Sequence, residues 1–308
     1  MSMLARTLIV FCAFLALAGT AGAQAPLHVV ASFSIIGDMV KNVGGDRVRV
    51  TTLVGPDGDA HAYEPTPATA KAVRGADLVV VSGLGFEGWL DRLITASGYK
   101  GTVVVASAGV KPRKMREEPG HGKDAHDDHE AIDPHAWQNL ANGRLYVDTI
   151  AGALGAVDPA GASYYGERAA AYARRLADLD TWAKAELSAI PAGKRRMITS
   201  HDAFGYLGDA YGIEILSPVG IGTGSEPSAA GVKKLIKQIK AEKIAAVFVE
   251  NISNPRMIEQ IAKESGVGVG GELYSDALSG ADGPAASYIE MFKHNVSQIV
   301  ATMKQGLY

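Results

Sequence analysis

The sequence predicts an α/β protein of two lobes with mainly parallel sheets, joined by one long rigid linker helix. Short apolar runs alternate with amphipathic segments over residues 27–106, and the same alternation returns over residues 196–304. Because strands that alternate with helices form parallel sheets covered by helices, each block predicts one lobe.

Between the two blocks, residues 159–190 place apolar side chains at helical spacing, with no proline after the first residue. About thirty residues make a helix of roughly 45 Å, which suits a strut between two lobes. A long helix on the surface of one lobe would show the same pattern, so the periodicity alone leaves both arrangements open.

The first block is predicted to contain three strand–helix units and a final strand. Residues 27–31 form a continuous apolar run, and Ser34 is a helix cap at the start of the next segment. Two glycines and a proline within residues 55–59 indicate a loop after the second strand. The predicted strands are 27–31, 48–53, 78–82 and 102–106, and the helices are 34–43, 66–74 and 89–96.

The second block repeats the order of elements without repeating the residues. It follows a polar segment over 109–134, which its proline, glycine and charge content predicts to be a loop, and a helix over 142–154. The predicted strands are 196–199, 213–218, 245–249 and 267–270, and the helices are 203–211, 228–240, 254–264 and 285–304.

The amino terminus has the pattern of a cleavable signal peptide. Arg6 is followed by a continuous apolar run over residues 8–17 and by Ala21-Gly22-Ala23, a typical cleavage site. The run is too short to stay in a bilayer, which needs about 20 residues. The bulky Phe11 before Cys12 argues against lipidation at the only cysteine. We therefore expect a soluble, exported protein.

Removing residues 1–23 from the 308 leaves 285 residues and no cysteine, so the mature chain cannot form a disulfide. Without Arg6 the balance is 29 basic against 33 acidic residues, which disfavours nucleic acid and anionic membranes as partners. The predicted divisions are a signal peptide over 1–23, an N-terminal lobe over 24–157 with a His/Asp-rich loop at 115–132, a linker helix over 158–191, and a C-terminal lobe over 192–308.

Residues 121–135 have the most unusual composition in the chain. They contain four of the eight histidines, interleaved with five carboxylates. Imidazole nitrogens and carboxylate oxygens are the donors that divalent transition metals prefer. The composition therefore predicts a protein that handles a metal ion.

Four polar residues outside this loop are candidate ligands, and each follows a predicted strand. They are separated by 74, 66 and 75 residues, so two fall in each lobe: His61, His135, His201 and Asp276. Three imidazoles and one carboxylate meeting in the cleft between the lobes would suit Zn²⁺. No single spacing is a metal motif, and each histidine alone is as compatible with a structural role.

Five short stretches resemble those of the zinc/manganese solute-binding proteins of bacterial ABC transporters. The resemblance covers the mature chain in order, and its motifs are specific as a set. The stretches are Asp59-Ala60-His61-Ala62-Tyr63-Glu64-Pro65-Thr66-Pro67, Asp133-Pro134-His135-Ala136-Trp137, Ser200-His201-Asp202-Ala203-Phe204, Ser225-Glu226-Pro227-Ser228 and Tyr274-Ser275-Asp276-Ala277-Leu278.

The resemblance implies two α/β lobes on a rigid helix with the metal between them, held by His61, His135, His201 and Asp276. Manganese-type relatives have glutamate at the position of His201, so histidine there makes the set softer and favours zinc. Ala60 departs from the acidic residue that many zinc-type relatives place before the first ligand, which leaves Asp276 as the expected fourth ligand.

The resemblance further implies a monomeric periplasmic protein that captures Zn²⁺ and delivers it to an inner-membrane ABC permease, with a zinc metallochaperone as a further candidate partner. We expect Glu64 and Asp133 to orient ligand histidines, and Trp137 and Phe204 to line the site. The His-rich loop resembles the charged loop of zinc-type members. We expect the loop to bind zinc weakly through His121, His126 and His129 and to pass it to the main site. The alternative is a solvated loop with no such role.

Three alternatives remain at this point. The first is a manganese-specific protein of the same family. The second is a zinc hydrolase, which would keep three protein ligands and an open position for water, although the sequence contains no HExxH motif. The third is a free-standing zinc buffer or metallochaperone.

Overall fold

The computed structural model describes residues 25–114, 131–224, 228–244 and 246–305. The first lobe begins with strand–helix units whose order agrees with the apolar pattern. Its elements are β1 (Leu27–Phe33), α1 (Ser34–Gly44), β2 (Val48–Val54), α2 (Pro67–Arg74), β3 (Leu78–Val81), α3 (Leu90–Ser97) and β4 (Thr102–Val105). All four residues of β3 are buried, as expected for a strand covered by helices on both faces.

The chain continues through a short antiparallel pair, β5 (Arg113–Lys114) and β6 (Ile132–Asp133), to α4 (Leu140–Val157) and the long α5 (Ala162–Ser188). The second lobe then follows. Its elements are β7 (Arg196–Ile198), α6 (Gly205–Tyr211), β8 (Glu214–Leu216), α7 (Ala229–Glu242), β9 (Ala246–Glu250), α8 (Arg256–Ser265), β10 (Val269–Leu273) and α9 (Tyr288–Gln305).

Each lobe contains one four-stranded parallel sheet, which confirms the predicted fold class. The strand orders are β2-β1-β3-β4 and β10-β9-β7-β8. In the first sheet β1 pairs with both β2 and β3, and in the second β7 pairs with both β8 and β9. In each sheet the chain goes first to a strand on one side of the starting strand and then to a strand on its other side. The order therefore reverses at β1 in the first sheet and at β7 in the second. Ligands of such sheets bind at the carboxyl ends of the strands where the order reverses.

The helix α5 joins the lobes and packs against α1 and α4 of the first lobe and against α6 and α9 of the second. Its 27 residues span about 40 Å. The buried side chains are the ones that the helical period predicts: Tyr165, Ala169, Tyr172, Leu176, Leu179, Ala183 and Leu187. An ion pair of 2.7 Å between Arg47 and Asp158 fastens the start of this segment to the first lobe.

Several element bounds differ from the sequence prediction, and two of the differences have a local reason. The helix over 159–190 starts later, because Pro159–Gly161 forms a turn of 3₁₀ helix before α5 begins. The predicted loop over 109–134 has β5 and β6 at its ends, and two-residue strands are too short to show a periodic pattern. Among the described residues, none of the helices combines the length and apolar character needed to cross a bilayer.

Candidate metal centre

The structure brings His61, His135, His201 and Asp276 together between the lobes. One ligand atom from each residue lies within 4.8 Å of the corresponding atom of the other three. The two Nε2 atoms of His61 and His135 are 3.2 Å apart. Three of the four residues are buried, and His61 is partly exposed, with 11% of its side chain accessible.

The positions of the four candidate ligands follow from the sheet topology. His61 lies in the loop after β2 and His135 just after β6, whereas His201 and Asp276 lie three residues after the ends of β7 and β10. Both lobes therefore contribute two side chains from the carboxyl ends of their elements. The cluster joins residues up to 215 positions apart, from His61 to Asp276, and only the paired lobes bring them into contact.

Asp276 is the centre of the cluster. Its Oδ2 lies 3.2 Å from His61 Nε2 and 3.1 Å from His201 Nε2, and its Oδ1 lies 3.7 Å from His135 Nε2. Oδ1 is buried and has no hydrogen-bond partner among the described residues. Burial raises the pKa of this carboxyl, but the attraction of His135 and His201 outweighs burial and holds the pKa well below its ordinary value. Both oxygens can therefore face one cation as a carboxylate.

His135 is oriented by the carboxylate two residues before it. Asp133 Oδ1 accepts from the backbone N–H of His135 at 3.0 Å and lies 2.9 Å from Nδ1 of its ring. Both side chains are fully buried. With Nδ1–H directed at the carboxylate, the lone pair of Nε2 points into the cluster, which is the arrangement typical of metal-binding histidines.

Glu250, the last residue of β9, places a second buried carboxylate beside His201, and no motif in the sequence points to it. Its Oε2 lies 2.6 Å from His201 Nδ1, and its Oε1 accepts from the His201 backbone N–H at 2.9 Å. Burial lowers the pKa of His201, but Glu250 and Asp276 raise it more, so the net shift is well above the ordinary value. The only signal in the sequence is an acidic residue at the end of a buried apolar run.

His61 is supported through its backbone. Asp59 Oδ1 accepts from the N–H groups of His61 and Ala62, at 2.8 and 3.2 Å. Glu64 is not brought to His61: its side chain is exposed, and within the described residues it makes no hydrogen bond to that ring. Asp59 therefore fixes the backbone of the turn that carries His61, as an aspartate at the start of a turn commonly does, and does not contact the ring nitrogen that Glu64 was expected to hold.

Aromatic side chains form one wall of the cluster. Trp137 is buried against His135, with ring centroids 5.4 Å apart, and Phe86 lies 4.7 Å from the ring of His61. Trp137 also donates from Nε1 to the carbonyl of Ser275 at 2.9 Å, which ties the first lobe to the residue before Asp276. Phe204 is buried, and among the described residues its ring makes no aromatic contact with a candidate ligand histidine; Phe86 is a further aromatic side chain at the site.

The remaining candidate residues lie outside the described part of the chain. These are the loop histidines His121, His126 and His129; Glu226 of the fourth motif also lies outside the described residues. The loop's predicted collecting role therefore stays a prediction.

Comparison with known proteins agrees with this architecture. The family model for ZnuA, the periplasmic component A of a zinc-uptake complex, matches residues 29–302. The chain belongs to the ZnuA family. The manganese-binding lipoprotein MntA of Halalkalibacterium halodurans is 33% identical over 287 residues, which cover 93% of this chain and 92% of MntA.

Solved structures similar to this ZnuA-family chain carry different metals in their names. The Mn-bound periplasmic metal-binding protein of Candidatus Liberibacter asiaticus has a TM-score of 0.79 at 30% identity, covering 90% of this chain and 99% of that one. The periplasmic zinc-binding protein TroA of Treponema pallidum has a TM-score of 0.82 at 28% identity, covering 91% and 99%. The family and fold predictions are confirmed, whereas the preference for zinc over manganese is not.

Proposed function

We propose that this chain is the periplasmic capture component of an ABC importer, binding one divalent transition-metal ion for delivery to a membrane permease. The observation that carries the proposal is the meeting of His61, His135, His201 and Asp276, two from each lobe. The proposed division is a lobe over 24–157, a linker over 158–191 and a lobe over 192–308. In this division the ion sits where the two lobes meet, so separating the lobes would split the ligand set and release it.

Manganese is the cargo that we propose first. Similar proteins whose names state a metal include a manganese-binding lipoprotein and a Mn-bound periplasmic metal-binding protein. The site supports this choice because both oxygens of Asp276 face the histidine nitrogens, at 3.1 to 3.7 Å. Three nitrogens and two oxygens form a harder and larger set than a tetrahedral zinc site needs.

Zinc is the second candidate, and His201 favours it. Three imidazoles are a softer set than two, and zinc binds more tightly than manganese to almost any site of nitrogen and oxygen donors. Tight zinc binding in a purified sample would therefore not identify the cargo. Selection in the cell depends on which ion is available and which loaded form the permease accepts.

The test combines binding with uptake. Metal-free mature chain is titrated with Mn²⁺ and Zn²⁺, and the metal content of the host is measured after deletion of the gene and after complementation. We expect one bound ion per chain, and a fall in cell manganese that wild type restores and His135→Ala does not. A fall in zinc alone would favour the second candidate. Absence of binding to either ion would overturn the proposal.

A zinc hydrolase would use the same residues differently. A catalytic zinc keeps a position open for water, whereas here a fourth side chain, Asp276, completes the protein ligand set. We expect no hydrolysis of activated esters above the rate of His135→Ala. A free-standing zinc buffer would bind metal equally well, but deleting it would leave the rate of metal uptake unchanged.

A further inference from the structure

Arg113, in β5, is joined to the ligand His135 through one carboxylate. Its Nη1 lies 3.1 Å from Asp133 Oδ2, while the other oxygen of Asp133 holds the His135 ring at Nδ1. The same guanidinium donates from Nε to Asp209 Oδ2 at 2.9 Å. The backbone N–H of Arg113 donates to the hydroxyl of Tyr206 at 2.8 Å. Arg113 therefore contacts the support of one ligand and helix α6 of the opposite lobe.

Charge and burial make the contact with Asp133 the important one. The Asp133 side chain is fully buried and that of Arg113 is only 15% exposed, whereas that of Asp209 is 62% exposed. A buried carboxylate needs a cation or several hydrogen-bond donors close by, and breaking a buried ion pair is costly. An exposed ion pair contributes little. The planar guanidinium can donate to both carboxylates at once, which the single ammonium of lysine does less well.

Helix α6 of the opposite lobe packs closely against the Arg113–Asp133 pair. Gly205 is the first residue of α6, and a β-carbon placed there would lie 2.4 Å from Arg113 Nη1 and 2.6 Å from Asp133 Oδ2. Real β-carbons do not approach other atoms so closely, so any larger residue at 205 would push the pair aside. The absence of a side chain at this position lets the guanidinium stay on Asp133.

We propose that Arg113 is a positioning residue for metal retention. It fixes Asp133 so that the carboxylate keeps the His135 ring turned with Nε2 towards the cluster. The inference rests on the proposed function, in which His135 is a metal ligand. It adds that the strength of this ligand is set by a residue that does not touch the metal.

The test compares substitutions in the mature protein for Mn²⁺ and Zn²⁺ affinity and for metal release into a chromophoric chelator. We expect Arg113→Gln to weaken binding by about 10–100-fold, with faster release, and Arg113→Lys to recover part of the loss. Gly205→Ala should weaken binding by displacing the pair with all charges kept. Asp209→Asn should change affinity by about twofold at most, because its ion pair is exposed.

A control removes a comparable ion pair elsewhere. Arg47→Gln breaks the 2.7 Å pair with Asp158 at the start of the linker segment and should lower the melting temperature without changing metal affinity. In metal-free protein, ¹⁵N NMR of His135 should show the Nδ1–H tautomer in wild type and a mixture in Arg113→Gln. This readout needs no metal, so it remains informative even if wild type were to bind neither ion and the proposed function failed.

The inference would be overturned by Arg113→Gln and Gly205→Ala proteins that keep wild-type affinity and the wild-type tautomer. It would also be overturned if Asp209→Asn lost as much affinity as Arg113→Gln, because the contact between lobes, and not the support of His135, would then explain the effect.

Discussion

Replacing Glu250 by glutamine tests whether a carboxylate outside the four candidate ligands sets how strongly His201 binds the proposed metal ion. Glutamine keeps the size of the side chain and removes its negative charge. In the wild type, the carboxylate lies 2.6 Å from His201 Nδ1 and also accepts from the His201 backbone, with both side chains buried. The charge therefore strengthens the donor atom on the opposite side of the ring.

The expected loss is about 10–100-fold in metal affinity, equivalent to about 1.4–2.7 kcal/mol of binding free energy. The loss should depend on pH in a specific direction. Glu250 also raises the pKa of His201, so in its absence protons compete less with the metal. We therefore expect the affinities of wild type and Glu250→Gln to differ most at pH 8 and to converge as the pH falls.

The assay is competitive titration with a chelating indicator between pH 6 and 8, with circular dichroism of the metal-free protein as a check of folding. Glu242→Gln is the matched control, because that glutamate forms an exposed ion pair with Arg196 in the same lobe. The control should keep wild-type affinity. If Glu250→Gln bound metal as tightly as the control at every pH, the assigned role of Glu250 would be wrong.

Three further predictions concern the ligands, pH and the loop. Alanine at any one of the three ligand histidines should weaken binding by orders of magnitude in calorimetric titration, and Asp276→Ala less so, because water can replace a carboxylate; tight binding after two of the histidine changes would refute the assignment. Because the pKa of His201 is raised, its protonated form stabilises the metal-free fold below about pH 6.5, and this stabilisation is lost as pH rises through the raised pKa. Metal affinity should accordingly start to fall above pH 6.5 on acidification, and a fall confined to below pH 6 would contradict this. Serine in place of His121, His126 and His129 should slow zinc loading in stopped flow without changing the affinity of the main site. An unchanged loading rate would refute the role of the loop.

The order of elements could be predicted because the spacing of apolar residues within each segment reflects whether it forms a strand or a helix. The run over residues 78–81 is buried on both faces, and the buried side of α5 is the stripe that the helical period indicates. The four candidate ligands could also be predicted from the order of elements together with the motifs. In parallel sheets, loops after strands gather at one edge, and motif likeness then selected among the polar residues there.

The supporting residues could not be predicted, because they depend on contacts between distant segments. Glu250 ends a strand like many surface glutamates, and only the pairing of β9 with β7 places it beneath His201. Arg113 acts through Asp133, 20 residues away, across a two-stranded pair too short to be visible in a sequence. Glu64 was the expected partner of His61 because it is acidic and close in sequence, yet its side chain faces solvent.

The choice of metal is the point at which ligand type alone was insufficient. His201 favours zinc through its softness, but that reasoning counts Asp276 as one donor. The structure turns both of its oxygens towards the histidines, which adds a hard donor that the sequence does not reveal.

The most direct measurement is anomalous diffraction from crystals of the mature protein loaded with Mn²⁺, recorded on both sides of the metal's absorption edge. We predict one strong peak enclosed by His61, His135, His201 and Asp276, with Nε2 of each histidine and a carboxylate oxygen of Asp276 within bonding distance. A loaded protein whose metal peak lies away from these four side chains would contradict this prediction.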